Sequence, residues 1–274
     1  IDDKKYILKP TIKYDVKPTS FTFRTELFAP LLAVAPYDTL EEAIDLVNSL
    51  DYGLTSGLQS LDEQEQKYWK NNIQAGNLYI NRGITGAIVN RQPFGGMKLS
   101  AFGPGLKAGG PNYCLQLMNI TDKDDSTTDY TRSYPKWYET EFKHARNIQP
   151  NIRGEQNVFR YLPLKSGMVL RLFGDETVEQ IKMVQLAAKT VGTPLTISAN
   201  ENNPVINQIV GDIKKENLAA FCENIKNFER VRTISANVPD VVFEAAANYD
   251  KYIAQSVPVK NGRIELALYI KEQS

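Results

Sequence analysis

Three short segments in the first half of the chain carry groups that can bind a small polar molecule. Glu26 lies in the segment Glu-Leu-Phe-Ala-Pro, and a carboxylate can accept hydrogen bonds from two neighbouring hydroxyl groups at once. Gly86 and Ala87 present two successive N–H groups, which can form a concavity for an anion that glycine lets approach closely. Phe94, within Gln-Pro-Phe-Gly-Gly, is suited to line an apolar pocket.

Each of these residues also has a purely structural interpretation. A lone glutamate before a proline is most often solvated. Gly86 can simply form a turn into a strand at Ile88-Val89, and Phe94 can be a core residue, since aromatic side chains more often pack than bind ligands. Residue type alone therefore leaves both interpretations open.

The stretch 75–113 is rich in glycine, which indicates a backbone that turns tightly or approaches a ligand closely. Within it, residues 103–108 match the spacing Gly-x-Gly-x-x-Gly/Ala of dinucleotide-binding loops. That motif needs a preceding strand and a helix that opens within it, whereas residues 109–111, Gly-Gly-Pro, interrupt the chain at once. We therefore interpret residues 103–108 as a structural loop that leads to a strand over residues 113–120.

Taken together, these segments resemble the C-terminal half of the catalytic domain of an aldehyde dehydrogenase. The resemblance covers roughly residues 6–120 and is strongest to the 1-pyrroline-5-carboxylate (L-glutamate γ-semialdehyde) dehydrogenase branch, including the dehydrogenase half of proline utilisation proteins. It implies that an intact enzyme oxidises L-glutamate γ-semialdehyde to L-glutamate with NAD in proline breakdown. It also implies that the strand over residues 113–120 joins protomers into a homo-oligomer.

The resemblance assigns roles to five residues of this chain. Glu26 would accept hydrogen bonds from the hydroxyls of the nicotinamide ribose of NAD, and Phe28 would pack near the nicotinamide. The amides of Gly86 and Ala87 would hold the α-carboxylate of the substrate, and Phe94 would line the pocket around its aliphatic chain. No catalytic residue is assigned, because the family's nucleophilic cysteine, its general-base glutamate and its cofactor domain belong upstream. We expect this chain to be inactive without that N-terminal remainder of the polypeptide.

The composition excludes several other classes of function. The chain has 32 basic and 32 acidic residues, so no broad field is available to attract nucleic acid or an anionic membrane. No apolar run approaches membrane-spanning length. The two cysteines, Cys114 and Cys222, are far apart, so we expect buried thiols, no disulfide framework and a cytoplasmic setting. With His144 as the one histidine, a metal site is not expected.

The order of elements predicts an α/β chain with two domains. Residues 1–121 form the C-terminal part of an aldehyde dehydrogenase catalytic domain, residues 122–157 a linker with one helix around 137–146, and residues 158–274 a smaller Rossmann-like domain. Helices are predicted over residues 39–50, 62–72, 178–191, 218–228, 239–248 and 264–273, and strands over residues 57–59, 78–80, 168–172, 194–198, 231–235 and 252–259.

The C-terminal domain resembles a degenerate copy of the family's cofactor domain, because only Gly174-Asp175 follows its first strand in place of a glycine-rich phosphate loop. We expect it to cover the active site or to join protomers without binding a dinucleotide. Two functions therefore remain open. The chain is either part of an NAD-dependent aldehyde dehydrogenase, or a non-catalytic assembly or docking module that contains an aldehyde-dehydrogenase-like segment.

Overall fold

The computed structural model of the chain describes residues 7–87, 91–122, 128–148 and 152–274. The strands are β1 (Thr11–Lys13), β2 (Leu31–Ala33), β3 (Tyr52–Gly53), β4 (Thr55–Leu58), β5 (Asn77–Ile80), β6 (Met97–Lys98), β7 (Arg146–Asn147), β8 (Val158–Pro163), β9 (Met168–Leu172), β10 (Leu195–Ala199), β11 (Ile213–Lys215), β12 (Arg230–Thr233), β13 (Tyr252–Gln255) and β14 (Ile270–Gln273). The α-helices are α1 (Phe21–Arg24), α2 (Leu40–Asn48), α3 (Glu63–Asn72), α4 (Tyr130–Trp137), α5 (Val178–Val191), α6 (Leu218–Asn224), α7 (Asp240–Asn248) and α8 (Gly262–Glu265). Four 3₁₀-helices and one π-helix complete the order, at Tyr113–Leu117, Ile206–Gln208, Ile225–Asn227, Leu266–Tyr269 and Tyr138–Phe142.

The C-terminal half is built on a five-stranded parallel sheet in the order β11-β10-β9-β12-β13. All five residues of the central strand β9 are buried, as expected for a parallel strand with both faces covered. Leu170 packs with α5 on one face, and its neighbour Val169 packs with Phe221 of α6 and Val242 of α7 on the other. The predicted α/β class and the doubly wound arrangement are confirmed.

Local sequence explains why α5 begins and ends where the sequence predicts. Thr177 caps the helix by accepting from the Gln180 amide, and the Gln180 side chain accepts from the Thr177 amide in return. Gly192 ends the helix with φ of 78°, a conformation that glycine adopts without strain. Between these ends, Ile181 and Val184 form part of the buried face.

The N-terminal half has several small sheets. β1 pairs with β2 and β4 with β5, both in parallel, whereas β3 pairs with β6 in antiparallel. A small core of Ile44 from α2, Trp69 from α3 and Ile73 holds the two helices together. Many large apolar side chains in this half are exposed, including Ile12 and Leu32 of the first sheet.

The segment between the halves packs closely against the C-terminal core. Its helix is α4, followed by the π-helix, so it begins earlier than the predicted 137–146. Tyr134 is fully buried and donates its hydroxyl hydrogen to the carbonyl of Val259 (2.8 Å). The proposed domain boundaries at residues 121 and 157 stay a prediction, and the predicted strand at Ile88-Val89 lies outside the described residues.

Three local predictions were wrong. The predicted last helix over residues 264–273 ends at Tyr269, and β14 follows because these residues pair with β8 in antiparallel. The predicted strand over residues 113–120 is a 3₁₀-helix at Tyr113–Leu117. That helix leaves Cys114 exposed, whereas Cys222 is buried as expected.

Within the described part of the chain, none of the helices is both long and apolar enough to cross a membrane.

The buried centre of β9 should dominate the stability of the C-terminal half. Leu170 is 0% exposed, so Leu170→Ala removes packed atoms and leaves a cavity, which should lower the free energy of unfolding by about 3 kcal/mol. Leu61→Ala is a matched control, because Leu61 is 92% exposed and its replacement should change the stability by less than about 0.5 kcal/mol. Chemical denaturation of both variants measures the difference, and equal losses would contradict this description of the core.

Candidate functional site

The segment Gln-Pro-Phe-Gly-Gly, residues 92–96, lies directly on the start of β5. A Cβ atom on Gly76 would lie 1.9 Å from the carbonyl oxygen of Gly95, so no side chain fits at residue 76. Likewise, a Cβ atom on Gly96 would lie 2.4 Å from the carbonyl oxygen of Ser100. These two glycines are therefore required because backbone approaches backbone.

Asn77, at the start of β5, fixes this segment through its side chain. The amide is 0% exposed, and its nitrogen donates to the carbonyl of Pro93 (3.1 Å) and to the Ser274 hydroxyl (3.2 Å). Its oxygen accepts from the Gly95 amide (3.1 Å) and from the ammonium of Lys107 (2.9 Å). All four hydrogen-bonding positions of the side chain are used.

Lys107 belongs to the rejected glycine motif and lies on the other side of the segment. Its ammonium donates to the carbonyl of Gly95 (2.5 Å) as well as to Asn77. Ala108 exchanges two backbone hydrogen bonds of 3.0 Å with Phe94. Burial lowers the pKa of the Lys107 ammonium to about 7, and the nearby Glu272 carboxylate offsets only part of that effect.

Glu272 of β14 connects this cluster to the C-terminal half. Its carboxylate accepts from the Lys107 amide (2.6 Å) and from the Asn112 side chain (2.7 Å). Arg263 donates to the oxygen of the same Asn112 side chain (2.5 Å). Burial raises the pKa of the Glu272 carboxyl group, and the hydrogen bonds from Lys107 and Asn112 oppose that rise.

The last two residues of the chain form hydrogen bonds with the start of β5 and the residues just before it. Ser274 donates its amide hydrogen to the carbonyl of Gly76 (3.1 Å), and its own carbonyl accepts from the Leu78 amide (2.8 Å). The Gln273 side chain donates to the carbonyl of Ala75 (2.9 Å). The Ser274 hydroxyl also donates to the carbonyl of Pro93 (2.7 Å), so the tail touches β5 and the 92–96 segment together.

The residues predicted to contact NAD lie on an exposed surface. Glu26 is exposed, and its carboxylate forms no hydrogen bond or ion pair with another described residue. Phe28 is 93% exposed and has φ of 47°, an unusual conformation for a residue with a side chain.

The residues predicted to contact the substrate follow β5. Gly86 has φ of 87° and open space where a Cβ would lie, and Ala87 is half-buried. Ile84 of the same loop lies so close to Gly57 that a Cβ on that glycine would lie 2.4 Å from its side chain. Phe94 is 38% exposed.

Two cavities among the described residues, with volumes of about 200 and 160 Å³, are both lined by Ile120, Val259 and Ile264, and the smaller one is also lined by Pro104 and Leu106. Neither is lined by a predicted site residue. The roles of Glu26, Phe28, Gly86, Ala87 and Phe94 therefore stay predictions.

The loop over residues 103–108 differs from a dinucleotide-binding turn. Gly103 and Gly105 both have positive φ, and neither a strand directly before the loop nor a helix opening within it is present. This agrees with its interpretation as a structural loop. Among the described residues, no group of three or more histidine, cysteine or acidic side chains could hold a metal ion.

Asn77, Lys107 and Glu272 did not stand out in the sequence. Asn77 reads as an ordinary polar residue beside a glycine, and a lysine in a glycine-rich loop is normally solvated. Glu272 lies where a helix was predicted, and Ser274 directly follows that predicted helix. Leu266 and Leu268 belong to the 3₁₀-helix that precedes β14, so local periodicity gave no signal for the terminal strand.

Comparison with known proteins shows what the N-terminal half is similar to. Residues 1–122 match the model of the "Aldehyde dehydrogenase family". The 1-pyrroline-5-carboxylate dehydrogenase of Bacillus pumilus is 40% identical over 117 residues, which are 43% of this chain and 22% of that protein. The 1-pyrroline-5-carboxylate dehydrogenase 2 of Bacillus subtilis is equally similar over the same shares.

One solved structure resembles both halves of the chain. Proline utilization A (PutA) from Corynebacterium freiburgense aligns with a TM-score of 0.75 and 34% identity over 96% of this chain and 26% of its own. The match to the aldehyde dehydrogenase family thus covers the N-terminal half, whereas the similarity to proline utilization A extends over both halves. The chain spans about a fifth of the length of the curated relatives it matches.

The buried Lys107 should make stability depend on pH in a defined window. Its pKa is about 7 in the folded chain and 10.5 ordinarily, so the unfolded state binds more protons between these values and stability rises with pH there. The free energy of unfolding of the natural chain should increase by about 2 kcal/mol from pH 7 to pH 9 relative to Lys107→Met. Denaturation at both pH values measures this, and parallel pH profiles would contradict it.

Proposed function

We propose that this chain is the C-terminal portion of an NAD-dependent dehydrogenase that oxidises L-glutamate γ-semialdehyde to L-glutamate. The main support is the match of residues 1–122 to the aldehyde dehydrogenase family, together with relatives named 1-pyrroline-5-carboxylate dehydrogenase. The alignment with proline utilization A over both halves supports a role in proline catabolism. The well-anchored 92–96 segment is consistent with a loop that must hold a substrate.

NAD is the proposed cofactor, and it would supply the acceptor for the hydride of the aldehyde. Glu26 fits this cofactor, because its exposed carboxylate has no hydrogen-bond partner among the described residues. Both of its oxygens are thus free to accept from the hydroxyls of the nicotinamide ribose. The exposed ring of Phe28, two residues on, would pack near the nicotinamide.

Substrate recognition is proposed for the loop after β5 and for the 92–96 segment. The amides of Gly86 and Ala87 donate no hydrogen bond to another described residue, so they can bind the α-carboxylate. The open space beside Gly86 permits that approach. Phe94 presents part of its ring at the surface and would cover the aliphatic chain of the substrate.

We assign the nucleophile of the reaction to the N-terminal remainder of the polypeptide. Burial raises the pKa of the Cys222 thiol, which makes the reactive thiolate less accessible. Cys114 is exposed, but it forms no hydrogen bond with a base among the described residues. This chain would therefore position cofactor and substrate while other residues carry out the covalent step.

The same remainder is the proposed partner of the N-terminal half. Two-stranded parallel sheets are rarely stable alone, and parallel strands are normally covered on both faces. Ile12 of β1 and Leu32 of β2 are instead 52% and 57% exposed. Further strands of the same domain would cover them. Assembly into a homo-oligomer and a cytoplasmic location belong to the same proposal.

For the C-terminal sheet we propose a non-catalytic role. In a dinucleotide-binding domain, amides after the first strand receive a phosphate. Here the Glu176 carboxylate accepts from the amides of Phe173 (2.7 Å) and Gly174 (2.8 Å), which follow β9. Because the Glu176 carboxylate already occupies these two amide donors, the sheet is better suited to cover or join other parts of the enzyme.

The deciding experiment compares this chain with a longer polypeptide that includes the remainder of the domain. This chain alone should show no NAD reduction with L-glutamate γ-semialdehyde, whereas the longer polypeptide should reduce NAD, followed by absorbance at the NADH band. Turnover by this chain alone would contradict the assignment of the nucleophile. Lack of turnover by the longer polypeptide would contradict the proposed function and favour the docking module.

A substitution in the carboxylate loop tests substrate identity. Ala87→Leu in the active polypeptide should raise KM for L-glutamate γ-semialdehyde by at least about tenfold, because the bulky side chain blocks two amide donors. KM for propanal, which has no carboxylate, should change by less than about threefold. Steady-state kinetics with both aldehydes measures this, and equal effects would remove Gly86 and Ala87 from the substrate site.

A further inference from the structure

Lys107 is a buried lysine that the proposed function leaves without a role. We propose that Lys107 is a positioning residue that fixes the Phe94 segment for substrate binding, so that it sets the affinity for the aldehyde and not the rate of the chemical step. This inference rests on the proposed function, because it requires Phe94 to contact the substrate.

The contacts of Lys107 surround the residue that follows Phe94. The ammonium donates to the Gly95 carbonyl at 2.5 Å, and a Cβ on Gly95 would lie 3.3 Å from Lys107 Cγ, so the aliphatic stem also covers this glycine. Ala108, the next residue, holds the backbone of Phe94 through two hydrogen bonds. Residues 107 and 108 therefore hold the backbone of Phe94 and Gly95 in place.

Burial of the ammonium indicates that its hydrogen bonds have a specific use. Lys107 is 0% exposed, and placing a charge there costs stability that an apolar side chain of similar length, such as methionine, would avoid. Its lowered pKa is the sign of that cost. A lysine at this site is consistent with a requirement for a donor that reaches Gly95 and Asn77 together.

The charged groups that face Lys107 come from the C-terminal half. The Glu272 carboxylate accepts from the backbone amide of Lys107. Arg263 donates to the side chain of Asn112, which in turn donates to Glu272. Arg263 in turn pairs with Glu141 (3.3 Å). The position of Lys107 is thus set by the C-terminal half, and Lys107 sets the position of the 92–96 segment.

A second lysine offers a matched control. Lys98, two residues beyond Gly96, is half-buried and donates to the carbonyls of Asn48 (2.6 Å) and Leu50 (2.7 Å). Its pKa is likewise lowered by burial. Lys98 therefore ties the far end of the same loop to the end of α2 without touching Phe94 or Gly95.

The test uses Lys107→Met and Lys98→Met in the active polypeptide. Lys107→Met should raise KM for L-glutamate γ-semialdehyde by about tenfold with kcat within about threefold, because a displaced segment weakens binding before the chemical step. Lys98→Met should leave both constants within about threefold. In parallel, amide exchange of residues 92–96 in the present chain should be about tenfold faster in Lys107→Met than in the natural chain.

The outcomes separate this inference from the function on which it rests. If the natural polypeptide does not reduce NAD, the proposed function is wrong and the inference is overturned with it. If it does, but Lys107→Met leaves KM unchanged, lowers kcat without raising KM, or raises KM no more than Lys98→Met does, Lys107 is only structural and the inference is wrong. If Lys107→Met does not fold, Lys107→Gln is the second variant. Its shorter side chain cannot reach the Gly95 carbonyl and the Asn77 oxygen together as the ammonium does, so KM should still rise by at least about threefold, and an unchanged KM would overturn the inference.

Discussion

The hydrogen bonds of one buried amide, Asn77, determine how this chain brings its two halves together. Its side chain meets three separate parts of the sequence, namely the 92–96 segment, Lys107 and the terminal Ser274. A buried amide with all four positions satisfied is strongly specific, because any displacement leaves a polar atom without a partner. The 92–96 segment and the tail can therefore hardly move independently.

This constraint explains why residues 75–113 are rich in glycine, and no phosphate-binding role is needed to explain it. Glycine at residues 76 and 96 lets backbone approach backbone, and the resulting contact holds the end of β5 against the 92–96 segment. The loop after β5 then leaves this rigid base with Gly86 in open space. A binding loop on such a base can hold a ligand with little loss of conformational entropy.

Much of the fold follows from local sequence, and the reasons are visible in particular elements. The limits of α5 are fixed by Thr177 and Gly192, whose effects are local, and β9 is a short apolar run that the sequence alone identifies. The terminal strand was mistaken for a helix because its pairing partner, β8, lies more than a hundred residues away. Local periodicity contains little information about such a partner.

The candidate site likewise contains residues that the sequence proposed and residues that it did not reveal. Motif resemblance proposed Glu26, Gly86, Ala87 and Phe94, because these residues lie in short recognisable segments, and their roles stay predictions. The residues that hold the segments in place were missed. Asn77, Lys107 and Glu272 are ordinary polar residues in sequence, and their importance arises only from burial and from contacts that span up to 197 positions.

The central claim is that Asn77 couples the 92–96 segment to the tail. The most direct test is amide hydrogen exchange, followed by mass spectrometry, in the natural chain and in Asn77→Asp, with Asn81→Asp as control. Asn81 lies just beyond β5, and among the described residues its side chain forms hydrogen bonds only with Ser60. Asn77→Asp should increase exchange in residues 92–96 and at residues 273–274 together, whereas Asn81→Asp should change neither. An increase in one segment without the other, or in neither, would contradict the account.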